Sequence, residues 1–149
     1  MDSSGVLYVC DFLAHKIKRV TAAGVVTTYA GNGTPGNLNN ANPLLAGFNG
    51  PFKCSVSSLG ELYVTCFTDP AFKRIAPGPG AVTDYSAVPI FGYTDGTILS
   101  AKYSFPSGMC IDYYNNVYVA DQQNHRIRKI DYQKALVSTI SGNGVNASV

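Results

Sequence analysis

The sequence predicts an all-β protein built from repeated four-stranded sheets. Short segments rich in β-branched and aromatic residues alternate with turns rich in Gly, Pro and Asn, and these segments recur with a period of fifty-five residues. Only 13% of the residues are charged and 11% are aromatic, a composition that argues against a disordered chain. No segment has an apolar stripe of helical spacing long enough to predict a helix.

The repeat is clearest in a strand that contains a Tyr-Val pair. Leu7–Asp11, Leu62–Cys66 and Val117–Asp121 align without a gap. Each is followed by a turn and then by a strand of basic and apolar residues, such as Lys16–Val20 in the first copy. A match of this length in three copies does not arise by chance. The predicted repeat units are residues 1–47, 48–102 and 103–149.

Two further strands complete each unit. An outer strand is predicted near Val25–Gly31, and an inner strand near Pro51–Val56 in the second unit and Pro106–Ile111 in the third. The first unit begins at the turn before its Tyr-Val strand, so we expect it to lack the inner strand. Four antiparallel strands in roughly 40–50 residues are typical of one blade of a β-propeller. The predicted fold is therefore a β-propeller segment of about three four-stranded blades, with an incomplete first blade and eleven strands.

The third unit resembles the signature of NHL repeats. Tyr118–Ile130 carries this resemblance, and Gly92–Gly96 with Phe105–Gly108 resembles the loop that leads into such a blade. The resemblance is clear in the first unit and weaker in the second, where Cys66 replaces the Asp and Pro70 the His. It implies a six-bladed, TolB-like ring. Members of this family serve as RNA-binding, protein-binding and sensor domains, and a few are lyases.

An open arc of blades leaves one sheet face of each terminal blade uncovered. Apolar surface of that size is typical of interaction or aggregation. We therefore expect the ring to be closed either by missing blades of a longer protein or by self-association. The longer protein is favoured, because closure by separate chains requires complementary ends on every copy.

The basic residues are concentrated in the third strand of each unit. Eight of the eleven Lys and Arg residues lie there: Lys16, Lys18, Arg19, Lys73, Arg74, Arg126, Arg128 and Lys129. Such a band could bind RNA, as the family resemblance allows. However, the net charge is only +2 and no aromatic stacking residues are evident beside the band. The band is better explained by strands that lie at the exposed rim of the blades, where charged side chains keep the protein soluble.

The sequence shows no catalytic or metal-binding pattern, so we predict a non-enzymatic protein without a cofactor. His15 and His125 are equivalent, but a metal site needs about three ligands and the second unit has Pro70 at this position. The sequence has no G-x-S-x-G motif. It also has no C-x-x-C pair, so we expect the four cysteines to be free thiols. The alternative is the non-catalytic part of a propeller lyase or hydrolase.

The predicted function is an interaction module that binds a protein or peptide. Its binding surface would combine the turns after the Tyr-Val strands with the long connectors Ala30–Gly50 and Ser86–Ser107. The candidate partner-contacting residues are Asp11, His15, Tyr93, Asp121, Asn124, His125 and Arg126. Tyr93, Tyr103 and Phe48 are candidate aromatic anchors, although core packing explains Phe48 and Tyr103 better.

Neither a signal peptide nor a membrane-spanning segment is visible in the sequence. A membrane partner is therefore not expected. A reducing, cytoplasmic compartment is the default expectation for a chain with unpaired cysteines.

Overall fold

The computed structural model describes residues 1–69, 72–78, 80–86 and 91–146. Pro70, at the end of one predicted turn, and residues 87–90 of the predicted connector lie outside these ranges. Within them, twelve strands form three antiparallel sheets, which are the three predicted blades. The helices of the described residues are two single turns of 3-10 helix, at Pro43–Leu45 and Gln122–Asn124, and neither could cross a membrane.

Blade 1 has three described strands. They are β1 (Leu7–Asp11), β2 (Lys16–Val20) and β3 (Val26–Ala30), in the order β1-β2-β3. The free edge of β1 is the position at which the other blades carry an inner strand. Leu7 and Val9 are each 47% exposed, because no described blade covers this face of the sheet.

Blade 2 is a complete four-stranded sheet. Its strands are β4 (Pro51–Val56), β5 (Leu62–Cys66), β6 (Phe72–Ile75) and β7 (Val82–Asp84), in the order β4-β5-β6-β7. All five residues of β5 are buried, whereas β1 has only exposed and half-buried residues. The difference arises because blade 2 has a neighbouring blade on both faces, so its central strand needs apolar side chains in both directions.

Blade 3 has one strand more than the sequence predicted. Its strands are β8 (Gly96–Thr97), β9 (Pro106–Ile111), β10 (Val117–Asp121), β11 (Arg126–Asp131) and β12 (Leu136–Ser141). The order is β8-β12-β11-β10-β9, so β9 is the inner strand and the short β8 extends the outer edge. The remaining eleven strands correspond to those predicted.

Two apolar clusters join the blades. The cluster between blades 1 and 2 contains Ile17, Tyr29, Ala30, Ala46, Phe48, Leu62, Val64, Cys66, Ile75 and Val82. The cluster between blades 2 and 3 contains Tyr63, Phe72, Ala101, Tyr103, Val117, Val119, Ile130 and Val137. Phe48 and Tyr103 are therefore core residues rather than exposed anchors.

The tyrosine of the Tyr-Val strand is held by a carboxylate in the turn before it. The Tyr8 hydroxyl donates to Asp2 Oδ2 at 3.1 Å, and the Tyr118 hydroxyl donates to Asp112 Oδ2 at 3.0 Å. Burial raises the pKa of Tyr8 to about 12, and the bond to Asp2 contributes to this shift. These turns lie at the opposite end of the blades from the predicted binding surface.

Candidate interaction surface

The turns after β1, β5 and β10 lie at one end of the blades, together with the connectors that lead into β4 and β9. We call this end the loop face. The strand register defines it, because Pro51 at the start of β4 pairs with Cys66 at the end of β5, and Pro106 pairs with Asp121 in the same way. The seven predicted partner-contacting residues come from these turns and connectors.

Asp121 and Asn124 are engaged inside blade 3. The fully buried Asp121 accepts hydrogen bonds from Arg128 Nη1 at 2.9 Å and from the Ser104 backbone N–H at 2.7 Å. Asn124 Nδ2 donates to Asp121 Oδ2 and to the carbonyl of Gly92, both at 2.8 Å. These bonds fix the turn and the connector to each other, and they engage the Asp121 carboxylate and the Nδ2 group of Asn124.

Arg128 lies at the centre of this network. Its fully buried guanidinium donates to Asp95 Oδ1 from Nε at 3.1 Å and from Nη2 at 2.8 Å. It also donates to the carbonyls of Lys102 at 2.9 Å and Thr94 at 2.6 Å, in addition to Asp121. Arg128 therefore attaches the connector before β9 to blade 3, and its charge is used internally.

Exposed Tyr93 and half-buried Arg126 form a pair. Arg126 Cζ lies 3.7 Å from the centroid of the Tyr93 ring, a cation–π contact, and the Tyr93 hydroxyl is 3.1 Å from Thr139 Oγ1. Arg126 donates to the carbonyls of Asn124 and Asn143 at 3.1 and 3.0 Å. Among the described residues no carboxylate forms an ion pair with Arg126. Its charge can therefore meet an anionic group of a partner.

His15 and His125 both have left-handed backbone, with φ of 53° and 49°. His15 Nδ1 accepts the backbone N–H of Gly50 at 3.2 Å, a bond between blades 1 and 2. His125 is exposed and lines a cleft of about 310 Å³ on the uncovered face of blade 3. Between blades 1 and 2, the place next to the equivalent histidine, His15, is occupied by Gly50 of the neighbouring blade. The cleft beside His125 is therefore the place where a following blade would pack.

Half-buried Asp11 is opposite Lys16 in the β1–β2 register.

A cluster of five phenylalanine rings crosses the loop face over all three blades. This phenylalanine cluster consists of Phe12, Phe52, Phe67, Phe91 and Phe105. Each ring centroid is 5.0–6.3 Å from that of at least one other member, and the contacts run without interruption from Phe12 to Phe91. Phe52 and Phe91 are 40% and 48% exposed, and the other three are half-buried.

Two backbone irregularities orient the cluster. Phe52 is the extra residue of a β-bulge between β4 and β5, which turns its side chain out of the regular alternation. Phe105 has a φ of 51°, a left-handed conformation that costs a residue with a Cβ roughly 1–2 kcal/mol. Its equivalent one repeat earlier is Gly50, with a φ of 63°. Phe105 is therefore a bulky residue in a conformation that favours glycine, which makes it a candidate for a functional role.

The phenylalanine cluster was not predicted from the sequence. A signal was present, because Phe12 and Phe67 recur one period apart, directly after a strand, where turns usually carry polar residues. Five of the seven phenylalanines of the chain belong to the cluster. The other two, Phe48 and Phe72, are fully buried between blades.

The basic residues of the third strands do not form a continuous surface. Lys73 and Arg128 are buried, and Lys73 Nζ is paired with Asp84 at 2.8 Å. Arg74 Nε donates to Glu61 at 2.8 Å. The band predicted from the sequence is therefore interrupted in blades 2 and 3.

The cysteines are all free thiols. Burial raises the pKa of Cys66 to about 12, whereas Cys110 is exposed. Cys10 and Cys54 lie together between blades 1 and 2, where the neighbouring thiol and burial raise the pKa of Cys10, and the Cys54 thiol donates to the carbonyl of Tyr8 at 3.4 Å. No group of three His, Cys, Asp or Glu side chains suited to a metal ion occurs in the described part of the chain.

Comparison with models of known protein families finds no match. Among curated proteins, the chain is similar to NHL repeat-containing protein 2 of Bos taurus, with 33% identity over 136 residues and 84% of this chain. The resemblance to the NHL repeat family is confirmed. The chain spans only 19% of the length of this NHL repeat protein, about a fifth.

Solved structures with similar folds are β-propeller proteins. A structural-genomics protein of unknown function from Bacteroides thetaiotaomicron matches with a TM-score of 0.74 and 23% identity, over 93% of this chain and 33% of that one. A streptogramin B lyase matches with a TM-score of 0.63 and 18% identity, over 93% of this chain and 37% of that one. At these identities the similarity extends to the fold alone. The three NHL-type blades are thus a partial β-propeller.

Proposed function

We propose that this NHL-type propeller segment is a non-enzymatic interaction module that binds a protein or peptide through its loop face. The phenylalanine cluster is the observation that carries the proposal. Exposed aromatic rings supply a large share of the binding energy at protein interfaces. The strained backbone of Phe105 adds support, because the fold would be less strained with glycine at this position.

The arrangement of the rings favours a protein partner over RNA. Single-stranded RNA binds by stacking successive bases on flat aromatic faces. In the cluster, three pairs are edge-to-face, with interplanar angles of 81°, 66° and 62° for Phe12–Phe52, Phe12–Phe67 and Phe67–Phe105. Phe52–Phe67 is tilted at 42° and Phe91–Phe105 is stacked at 23°. Such an uneven apolar surface suits side chains that insert between rings. The interrupted basic band also offers fewer phosphate contacts than the sequence suggested.

The proposal is tested by selecting peptides from a random phage-displayed library on the immobilised chain. The test variant is Phe52→Ala/Phe91→Ala, which removes the two most exposed rings of the cluster. Tyr113→Ala is the matched control, because Tyr113 is an aromatic residue that is 85% exposed in the turn between β9 and β10, at the opposite end of the blades. Circular dichroism verifies that each protein is folded.

The expected result is a set of peptides that bind the unchanged chain and the Tyr113→Ala control equally. Because the double variant lacks two interface aromatics, its affinity for these peptides should be at least about tenfold lower. Selected peptides that bind the double variant with unchanged affinity would contradict the proposal, as would a library that yields no binder. Stronger binding of a labelled single-stranded RNA, insensitive to the double variant, would favour the RNA alternative.

A further inference from the structure

Most of the charges beside the phenylalanine cluster that form no ion pair among the described residues are positive. Lys53 follows Phe52 in β4 and is exposed. The Lys102 side chain lies next to Gly92, the neighbour of Phe91. A Cβ added at Gly92 would be 3.2 Å from Lys102 Cδ. Neither lysine forms an ion pair with a carboxylate of the described residues. A lysine without an ion pair among the described residues therefore lies next to each of the two exposed rings, Phe52 and Phe91.

Three carboxylates on the same side are engaged in ion pairs, and half-buried Asp11, next to Phe12, lies opposite Lys16 in the β1–β2 register. Asp95 and Asp121 are bound to Arg128. Asp84 is paired with buried Lys73. Together with Arg126 on Tyr93, the two free lysines make the loop face electropositive around an apolar centre.

The spacing of the rings is close to, and slightly shorter than, the side-chain repeat of an extended peptide. In a strand, side chains on one face repeat every second residue, which is roughly 6.4–6.8 Å. The ring centroids of the cluster are 5.0–6.3 Å apart. Alternate apolar side chains can therefore meet successive gaps between rings, while the intervening residues point away from the rings and can reach the cations beside the cluster.

We propose that the loop face binds an extended acidic peptide with aromatic or other large apolar residues at alternate positions. This inference rests on the proposed function and specifies its partner. Phe52, Phe67, Phe91 and Phe105 contact the apolar residues of the peptide, and Lys53 and Lys102 pair with its carboxylates. Arg126 offers a third cation at the outer end of the surface.

The test uses three fluorescein-labelled peptides of equal length, in which Phe alternates with Glu, with Gln or with Lys. Their affinities for the complete chain are measured by fluorescence anisotropy at low salt. Because each exposed ion pair strengthens binding by about two- to fivefold, the Glu peptide should bind about tenfold more tightly than the Gln peptide. The Lys peptide should bind more weakly than either. Raising the salt concentration should reduce the preference for the Glu peptide.

Two variants separate charge from apolar contact. The variant Lys53→Gln/Lys102→Gln should lower the affinity for the Glu peptide about tenfold and leave the affinity for the Gln peptide unchanged. The control Lys134→Gln removes an exposed lysine from the turn between β11 and β12, at the other end of the blades, and should change neither peptide. Because all three lysines lie outside the two apolar clusters, these variants should fold normally.

The outcomes distinguish the inference from the proposed function. If the Glu and Gln peptides bind equally and both require Phe52 and Phe91, the acidic partner is wrong and the loop-face function stands. If no peptide binds in a way that depends on these two rings, both fail. Charge selectivity that the Lys53→Gln/Lys102→Gln variant does not alter also overturns the inference.

Discussion

Replacement of Arg128 by methionine should destabilise this protein more than any change on its surface. Methionine retains the apolar volume of the side chain but removes all the hydrogen bonds of the guanidinium. The carboxylate of Asp121 would then be fully buried without its cation. Asp95 and the carbonyls of Thr94 and Lys102 would lose their donors at the same time.

The expected loss can be estimated from the burial of the pair. Removing one partner of a fully buried ion pair costs about 3–5 kcal/mol, since the remaining charge has no compensation. Domains have total stabilities of about 5–15 kcal/mol, so this loss is a large fraction. In a chain of this size each kcal/mol corresponds to roughly 2–4 °C, which gives a decrease in Tm on the order of 10 °C.

Urea unfolding followed by circular dichroism measures this loss. Lys129→Met is the matched control, because Lys129 is adjacent in β11, half-buried and without an ion pair among the described residues. The double variant Arg128→Met/Asp121→Asn should recover part of the stability, because no buried charge is left unpaired. A free energy of unfolding for Arg128→Met within about 0.5 kcal/mol of the unchanged chain would refute this account of the connector.

Two further predictions concern tyrosine and cysteine. Because the pKa of Tyr8 is about 12 in the folded chain and 10.0 ordinarily, the unfolded state loses its proton first, so the contribution of Tyr8 to stability should be constant below pH 10 and fall between pH 10 and 12. Urea unfolding across this range should show a smaller fall for Tyr8→Phe, and an identical fall would contradict the assigned shift. In the native protein a thiol reagent should modify exposed Cys110 first and buried Cys66 only after unfolding. Peptide mass spectrometry measures the order, and equal modification of both under native conditions would contradict it.

The blade architecture could be predicted because it depends on a local, repeated pattern. Each Tyr-Val strand, turn and basic strand occupies the same position in its repeat, and Pro51 and Pro106 mark the start of the inner strands. The missing inner strand of the first blade followed from the same alignment. The short strand β8 could not be found in this way, since a Gly-Thr pair has no strand pattern and pairs only with Leu136 and Val137.

The second blade shows how a degraded repeat keeps its structure. Ser57 stands where the other units have Asp2 and Asp112, and its hydroxyl accepts the backbone N–H groups of the turn. The missing carboxylate is supplied by Glu61, which accepts the Tyr63 hydroxyl at 2.7 Å. Sequence alignment alone records a lost Asp, whereas the structure shows that a neighbouring residue provides its interaction.

The candidate interaction surface was only partly predictable, because it too depends on contacts that sequence alignment does not show. The sequence located the loop face, but exposure within it depends on tertiary contacts. Asp121 and Asn124 form hydrogen bonds within blade 3, while Tyr93 and Arg126 remain partly exposed. The phenylalanine cluster depends on a β-bulge and on a positive φ at Phe105, neither of which follows from residue type.

The phenylalanine cluster is tested most directly by ¹⁹F NMR on the chain labelled with fluorophenylalanine. The seven phenylalanines give seven signals, which single Phe→Tyr variants assign. When the Glu-Phe peptide is added, we expect shifts for the five signals of the cluster and none for buried Phe48 and Phe72. Unchanged cluster signals at a peptide concentration that gives full binding by anisotropy would contradict it.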